Sequence, residues 1–137
     1  MRPQKVLRAI LFVAFFVFFV QILRQGVETV HQTLCNSGAV FGVAVPQGIL
    51  FFLTLGTLFF FSVQWWKEED IVLSFGWLIL FSAGASNLFE RTFFGCVTDY
   101  IFLPYFPACN IADVVLTIAV LVMAFRFRKN IVYQKTL

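Results

Sequence analysis

Four long apolar stretches, near residues 6–24, 49–66, 71–89 and 111–127, dominate this chain and all but exclude a water-soluble fold. About 20 apolar helical residues cross the hydrocarbon core of a bilayer, and each stretch is close to that length. The first holds an unbroken apolar run from Ala9 to Val20. Hydrophobic residues make up 61% of the sequence and charged residues 12%, against about 45–50% and about 25% in soluble domains. The 20 phenylalanines add bulk suited to lipid-facing surfaces. The expected architecture is a single all-α integral membrane domain, residues 1–137, with four transmembrane helices.

The basic residues orient it. Arg2, Lys5 and Arg8 precede the first stretch, and Arg126, Arg128, Lys129 and Lys135 follow the last. The positive-inside rule then makes both termini cytoplasmic, which an even number of spans allows. The N-terminus resembles a signal peptide only superficially: its apolar run is too long and no small-residue cleavage site follows, so it reads as a retained span. The net charge of +3 forms no basic patch on a solvated surface, and nucleic acid is not expected as a partner.

Two outer segments remain, residues 25–48 and 90–110. In the first, Gly26 is read as the end of the first helix. Short alternating runs at Thr29–Leu34 and Ala39–Val45 predict a small extracytoplasmic β-rich segment. The second holds Tyr100–Pro107, whose aromatics and prolines suit headgroup depth. On the opposite side, Trp65-Trp66 suits the interface and Lys67–Asp70 forms a tight cytoplasmic turn. Ser82 and Gly84 are expected to allow close helix packing. Cys35, Cys96 and Cys109 have no metal-site spacing and read chiefly as small, semi-buried apolar residues; one disulfide is open, with no readable pairing.

Chemistry concentrates in residues 86–113, where Asn87, Glu90, Arg91, Asp99, Asn110 and Asp113 interrupt the apolar pattern. Carboxylates in or beside hydrocarbon are costly unless paired, hydrated or neutral, and so mark a functional site. Singly, each has a plain role. Asn110 suits the N-cap of the last helix with Asp113 in its first turn, Arg91 can extend to the headgroups beside Glu90, and Asp99 suits a loop. The sole histidine, His31, has no evident nucleophile, and no His-Glu-x-x-His zinc motif or phosphate-binding glycine loop occurs. Two aspartates suffice to hydrolyse a peptide, one ionised and activating water, the other protonated and polarising the carbonyl.

The order of motifs resembles the type II signal peptidases, the bacterial lipoprotein signal peptidases. Ser86-Asn87-Leu88-Phe89-Glu90-Arg91 resembles the family's Gly-Asn-x-x-Asp-Arg. Val97-Thr98-Asp99-Tyr100 matches Val-x-Asp-Phe/Tyr, and Asn110-Ile111-Ala112-Asp113 matches Asn-x-Ala-Asp at the last span. Asn36-Ser37-Gly38-Ala39-Val40-Phe41 is similar to the outer segment Asn-x-Gly-Ala-x-Phe. The resemblance implies Asp99 and Asp113 as the catalytic pair, with Asn36, Asn87, Arg91 and Asn110 supporting the site or binding substrate. It implies no metal or organic cofactor. The implied partners are membrane lipids and prolipoproteins, cut before a diacylglyceryl-modified cysteine at the outer face of the bacterial cytoplasmic membrane.

Some positions depart from the pattern. The family's Asp-Gln-x-x-Lys near the end of the first span is Val20-Gln21-Ile22-Leu23-Arg24 here, its Asp before Arg is Glu90, and its Gly before Asn is Ser86. Cys109 stands where an aromatic is common. Two other functions would use the same residues: a small transporter or ion-conducting protein with Asp99, Asp113 and Arg91 as a charge relay, and a catalytically inactive relative or assembly subunit in which the cluster serves packing.

Overall fold

The computed structural model describes residues 2–38 and 43–135. Four helices, α1 (Arg2–Glu28), α2 (Gln47–Lys67), α3 (Ile71–Phe94) and α4 (Ile111–Lys135), carry two three-residue strands, β1 (Leu34–Asn36) and β2 (Val97–Asp99). The fold is that of an all-α integral membrane protein. Among the described residues α1, α2 and α3 are long and apolar enough to cross a membrane. In α4 the uncharged run Val114–Phe125 is bounded by Asp113 and Arg126.

Helix α3 is the centre of the bundle and packs against α1, α2 and α4. Its inward face is made of small residues, with Gly76, Ser82, Ala83 and Ser86 all buried, so neighbouring backbones approach closely. A Cβ on Gly76 would lie 2.5 Å from the Met123 side chain, and one on Gly84 would lie 3.0 Å from Leu58. Leu73, Leu80, Ala119 and Met123 form the apolar core, with Phe61, Trp77, Ile79 and Leu116 packed on it. Phe15, Phe18, Phe52, Phe59 and Phe125 are exposed around the bundle, as a lipid-facing belt requires.

Charged contacts gather one end of the bundle. Lys5 lies over the Trp65 ring at 4.7 Å. Asp70 caps α3 by accepting from Val72 and Leu73 N–H at 2.9 and 3.2 Å. Its other oxygen accepts from Arg126 Nε and Nη2 at 2.9 and 2.7 Å. The cluster around Asn87 and Asp99 is at the opposite end, about 25 Å along α3 at 1.5 Å per residue.

Several local expectations are corrected. Gly26 does not end the first helix: α1 continues to Glu28, its last turn held by an Arg24–Glu28 ion pair at 2.7 Å. Helix α3 runs through Phe94, past Phe89, and stops at Gly95, whose φ of +78° is a conformation only glycine adopts cheaply. The strand expected within Thr29–Leu34 begins at Leu34. It pairs with β2, antiparallel, with Cys35 opposite Thr98. Residues 39–42 lie outside the described residues, and 43–45 are not strand.

The cysteines are corrected as well. Cys35 and Cys96 form a disulfide with Cα atoms 5.5 Å apart, and only Cys109 is free. Two three-residue strands have too few ladder bonds to hold together alone, and the disulfide supplies the missing constraint.

Candidate active site

Each site residue is delivered by a different element. Asn36 ends β1, Asn87 and Arg91 lie in the last turns of α3, Asp99 ends β2, and Asn110 and Asp113 open α4. Strand β2 is aimed by its surroundings. Gly95 turns the chain off α3, and the pairing of β1 with β2 brings Asn36 beside Asp99. After β2, Ile101 and Cys109 pair as an antiparallel bridge, returning the chain to α4. The Ile111 N–H donates to Tyr100 Oη at 3.2 Å, tying the start of α4 to the residue after Asp99.

The six residues named from the sequence come together, five of them in one hydrogen-bonded chain. Asn36 Nδ2 donates to Asp99 Oδ2 at 3.0 Å. Asn110 Nδ2 donates to Asp99 Oδ1 and to Asn87 Oδ1, both at 3.3 Å. Asn87 Nδ2 donates to Asp113 Oδ1 at 2.9 Å. Asp113 Oδ2 accepts from the Asn110 N–H at 3.3 Å, and the Asp113 N–H donates to Asn110 Oδ1 at 3.1 Å. Every oxygen of both carboxyl groups therefore has an amide donor.

The two carboxyl groups differ in setting. Asp99 is 1% exposed, and burial pushes its carboxyl above the usual carboxylate range; the Asn36 donor opposes this and the Asp113 charge adds to it. Asp113 is half-buried in the first turn of α4, the helix end at which negative charge is favoured.

Arg91 is the sixth residue and is not hydrogen-bonded to either aspartate. It lies in the electrostatic field of Asp113, Asp99 and Glu90, and its Nη1 is buried without a hydrogen-bond partner among the described residues. With Gln47, Gly48 and Phe51 it borders a cavity of about 240 Å³.

Glu90 belongs to the polar cluster of the sequence but not to the six site residues, and its partners lie on β2 and α1. Glu90 is 1% exposed, yet its Oε2 accepts from the Thr98 N–H at 2.8 Å and its Oε1 from Gln21 Nε2 at 3.2 Å. Arg24, also buried, lies over the Phe94 ring at 4.1 Å. The available signal was the motif Gln21-x-x-Arg24 together with the acid before Arg91, polar positions in otherwise apolar spans.

Residues 11–128 match the family model described as signal peptidase (SPase) II. The chain belongs to the signal peptidase II family. Two lipoprotein signal peptidases are similar in sequence. That of Desulforapulum autotrophicum is 27% identical over 121 residues, covering 76% of this chain and 75% of the relative. That of Clostridium novyi is 25% identical over 99 residues, covering 65% and 66%. The fold is shared with two solved bacterial membrane enzymes. One has a TM-score of 0.78 at 24% identity over 90% of this chain and 88% of its own. The other has a TM-score of 0.73 at 25% identity over 88% and 92%. Membership makes this chain a bacterial membrane protease, in a family that removes signal peptides from prolipoproteins.

Proposed function

We propose that the chain is an aspartic endopeptidase that cuts prolipoproteins immediately before a cysteine bearing diacylglycerol, with Asp99 and Asp113 as its acid–base pair. The observation that carries this reading is the double role of Asn110. Its side-chain amide donates to Asp99 and its backbone N–H to Asp113, so one residue holds both carboxyl groups at the same end of the bundle.

The settings of the two aspartates support a division of roles. Asp99, desolvated and pushed toward its neutral form, is the acid. Asp113, at a helix N-terminus with an amide donor on each oxygen, is the base. Asp113 takes a proton from water as the water oxygen bonds to the scissile carbonyl carbon, and Asp99 gives its proton to the carbonyl oxygen. The gem-diol then collapses. Asp113 passes its proton to the departing cysteine nitrogen, the C–N bond breaks, and Asp99 recovers a proton from the gem-diol hydroxyl. Water has been added across the amide and both side chains are restored.

Asn36 and Asn87 orient the carboxyl groups, and Arg91 balances the negative charge. The substrate is an apolar signal helix joined to a lipid-modified residue, so it is already in the bilayer beside the bundle and needs only lateral entry. The Cys35–Cys96 disulfide lies beside the site, and disulfides persist in oxidising compartments. This supports an extracytoplasmic site, with both termini at the cytoplasmic side of the inner membrane, in line with the basic residues at each end.

A cleavage assay on a diacylglyceryl-modified prolipoprotein in detergent or liposomes tests the reading. The expected products are the free signal peptide and a protein beginning at the lipidated cysteine. Full cleavage by Asp99→Asn would reject the pair.

A further inference from the structure

A closed ring of polar contacts lies directly beneath Asp99. Glu28 Oε1 accepts from Thr98 Oγ1 at 3.3 Å and from Arg24 Nη1 at 2.7 Å. Arg24 Nε donates to Gln21 Oε1 at 3.1 Å, Gln21 Nε2 to Glu90 Oε1 at 3.2 Å, and the Thr98 N–H to Glu90 Oε2 at 2.8 Å. The ring begins and ends on Thr98, the residue before Asp99, and joins α1, α3 and β2.

Glu28 lies outside every motif named above. It is the acid that the end of the first span otherwise lacks. Val20, where an acidic residue would stand one turn before Arg24, is apolar and buried. The buried Arg24 guanidinium instead finds its carboxylate one turn after itself. A buried guanidinium without a partner is strongly unfavourable, and Glu28 supplies that partner at 2.7 Å, from a helix end where its own side chain is 35% exposed.

We propose that Glu28 is a positioning residue for Asp99, acting through Thr98. Side chains alternate along a strand, so Thr98 and Asp99 point to opposite sides of β2. Thr98 is gripped twice, at its N–H by Glu90 and at its hydroxyl by Glu28. This double grip sets the rotation of β2 about its axis, and with it the aim of the Asp99 carboxyl at Asn36 and Asn110. With the hydroxyl released, β2 keeps the Cys35–Cys96 bridge just before it, its ladder to β1 and the Glu90 contact, but loses the hold on the Thr98 side chain.

The inference rests on the aspartic reading, and one set of variants separates the two. Asp99→Asn, Glu28→Ala, Glu28→Gln, Thr98→Val and Glu28→Ala/Thr98→Val are compared as full-length protein in liposomes on a lipidated prolipoprotein. Glu28→Ala and Thr98→Val should each lower kcat by roughly tenfold to a hundredfold, since small misplacements of a reacting group are costly. KM should stay within about twofold. The double variant should match the worse single one, and Glu28→Gln, which keeps the Oε1 acceptor, should recover most of the loss. Wild-type kcat in Thr98→Val overturns the inference, as does a Glu28→Ala defect seen only as lost folded protein. If Asp99→Asn cleaves normally, the aspartic pair falls and this role for Glu28 falls with it. If Asp99→Asn is dead while the Glu28 and Thr98 variants keep full kcat, only the positioning role is overturned.

Discussion

Asn110 and Asp113 cap each other across the first turn of α4, with the Asn110 N–H on Asp113 Oδ2 at 3.3 Å and the Asp113 N–H on Asn110 Oδ1 at 3.1 Å. This is a reciprocal capping box, and both residues keep a second contact within the site. Asp113 also accepts from Asn87, and Asn110 also donates to Asp99. Helix capping and membership of the polar cluster are therefore one arrangement, and substitutions must be chosen to separate them.

Asp113→Asn does so for the base. The amide keeps a short oxygen acceptor for the cap, so yield and thermal stability in detergent should stay near wild type. Cleavage should fall nearly to nothing, as it should in Asp99→Asn. The double variant should be scarcely worse than either single one, because residues that act together give non-additive losses. Losses that multiply in the double variant would show that the two carboxyl groups act independently.

Asn110→Ser retains a good cap residue and removes the amide that reaches Asp99. Asp99 is the neutral acid, and a hydrogen bond between uncharged groups contributes about 0.5–1.5 kcal/mol, so cleavage should drop roughly twofold to tenfold. The melting temperature should scarcely move. Asn110→Ala should lose about 1 kcal/mol of stability as well. Equal thermal stability in the Ser and Ala variants would argue against the capping contribution.

The pH dependence follows from Asp99. Burial raises its carboxyl above the ordinary value of 3.8, so it keeps its proton to higher pH, and activity that needs the acid is lost as pH rises through the raised value. The Asn36 hydrogen bond opposes the rise. Removing it in Asn36→Ala should therefore move the alkaline limb of the kcat–pH profile upward. An unmoved limb would assign the alkaline loss to another group.

The Cys35–Cys96 bridge closes a loop across 61 positions, and a cross-link of this kind stabilises by about 2–4 kcal/mol. Cys35→Ser should lower the unfolding temperature and loosen the pairing of Asn36 with Asp99. In the folded wild type, alkylation without reductant should reach Cys109 alone, and reductant should expose the other two thiols.

Asp70 and Arg126 hold the other end. Hydrogen bonds from Arg126, then the Leu73 N–H, keep the Asp70 carboxyl below its ordinary 3.8. A depressed folded value means that this stabilisation is complete above the unfolded value and is lost as pH falls through the folded one. Asp70→Asn should therefore narrow the gap between unfolding temperatures at neutral and strongly acidic pH. An unchanged gap would show that the pair contributes nothing to acid sensitivity.

Much of the molecule was legible from residue order. Apolar runs of span length and basic residues at both ends bound the chain to a bundle of membrane helices, because hydrocarbon admits few other solutions. Asn87 and Asp113 stand out because polar groups are rare in such runs, whereas Asn36 enters only through the resemblance of motifs and Asp99 and Asn110 lie in the outer segment between two runs. The helix ends were less legible. Gly26 is compatible with a helix that continues, and only the Arg24–Glu28 pair in the next turn decides that it does.

Long-range pairing belonged to the tertiary structure alone. No local pattern distinguishes Cys35–Cys96 from the other two pairings, or couples Leu34–Asn36 to Val97–Asp99 across two intervening helices. Glu90 is visible in sequence as the acid before Arg91 but its partners are not, and Glu28 stands in no motif. Their roles arise because packing of α1 on α3 brings both carboxylates to Thr98. A buried polar group must find a partner wherever the fold supplies one, and sequence order records the group but not the partner.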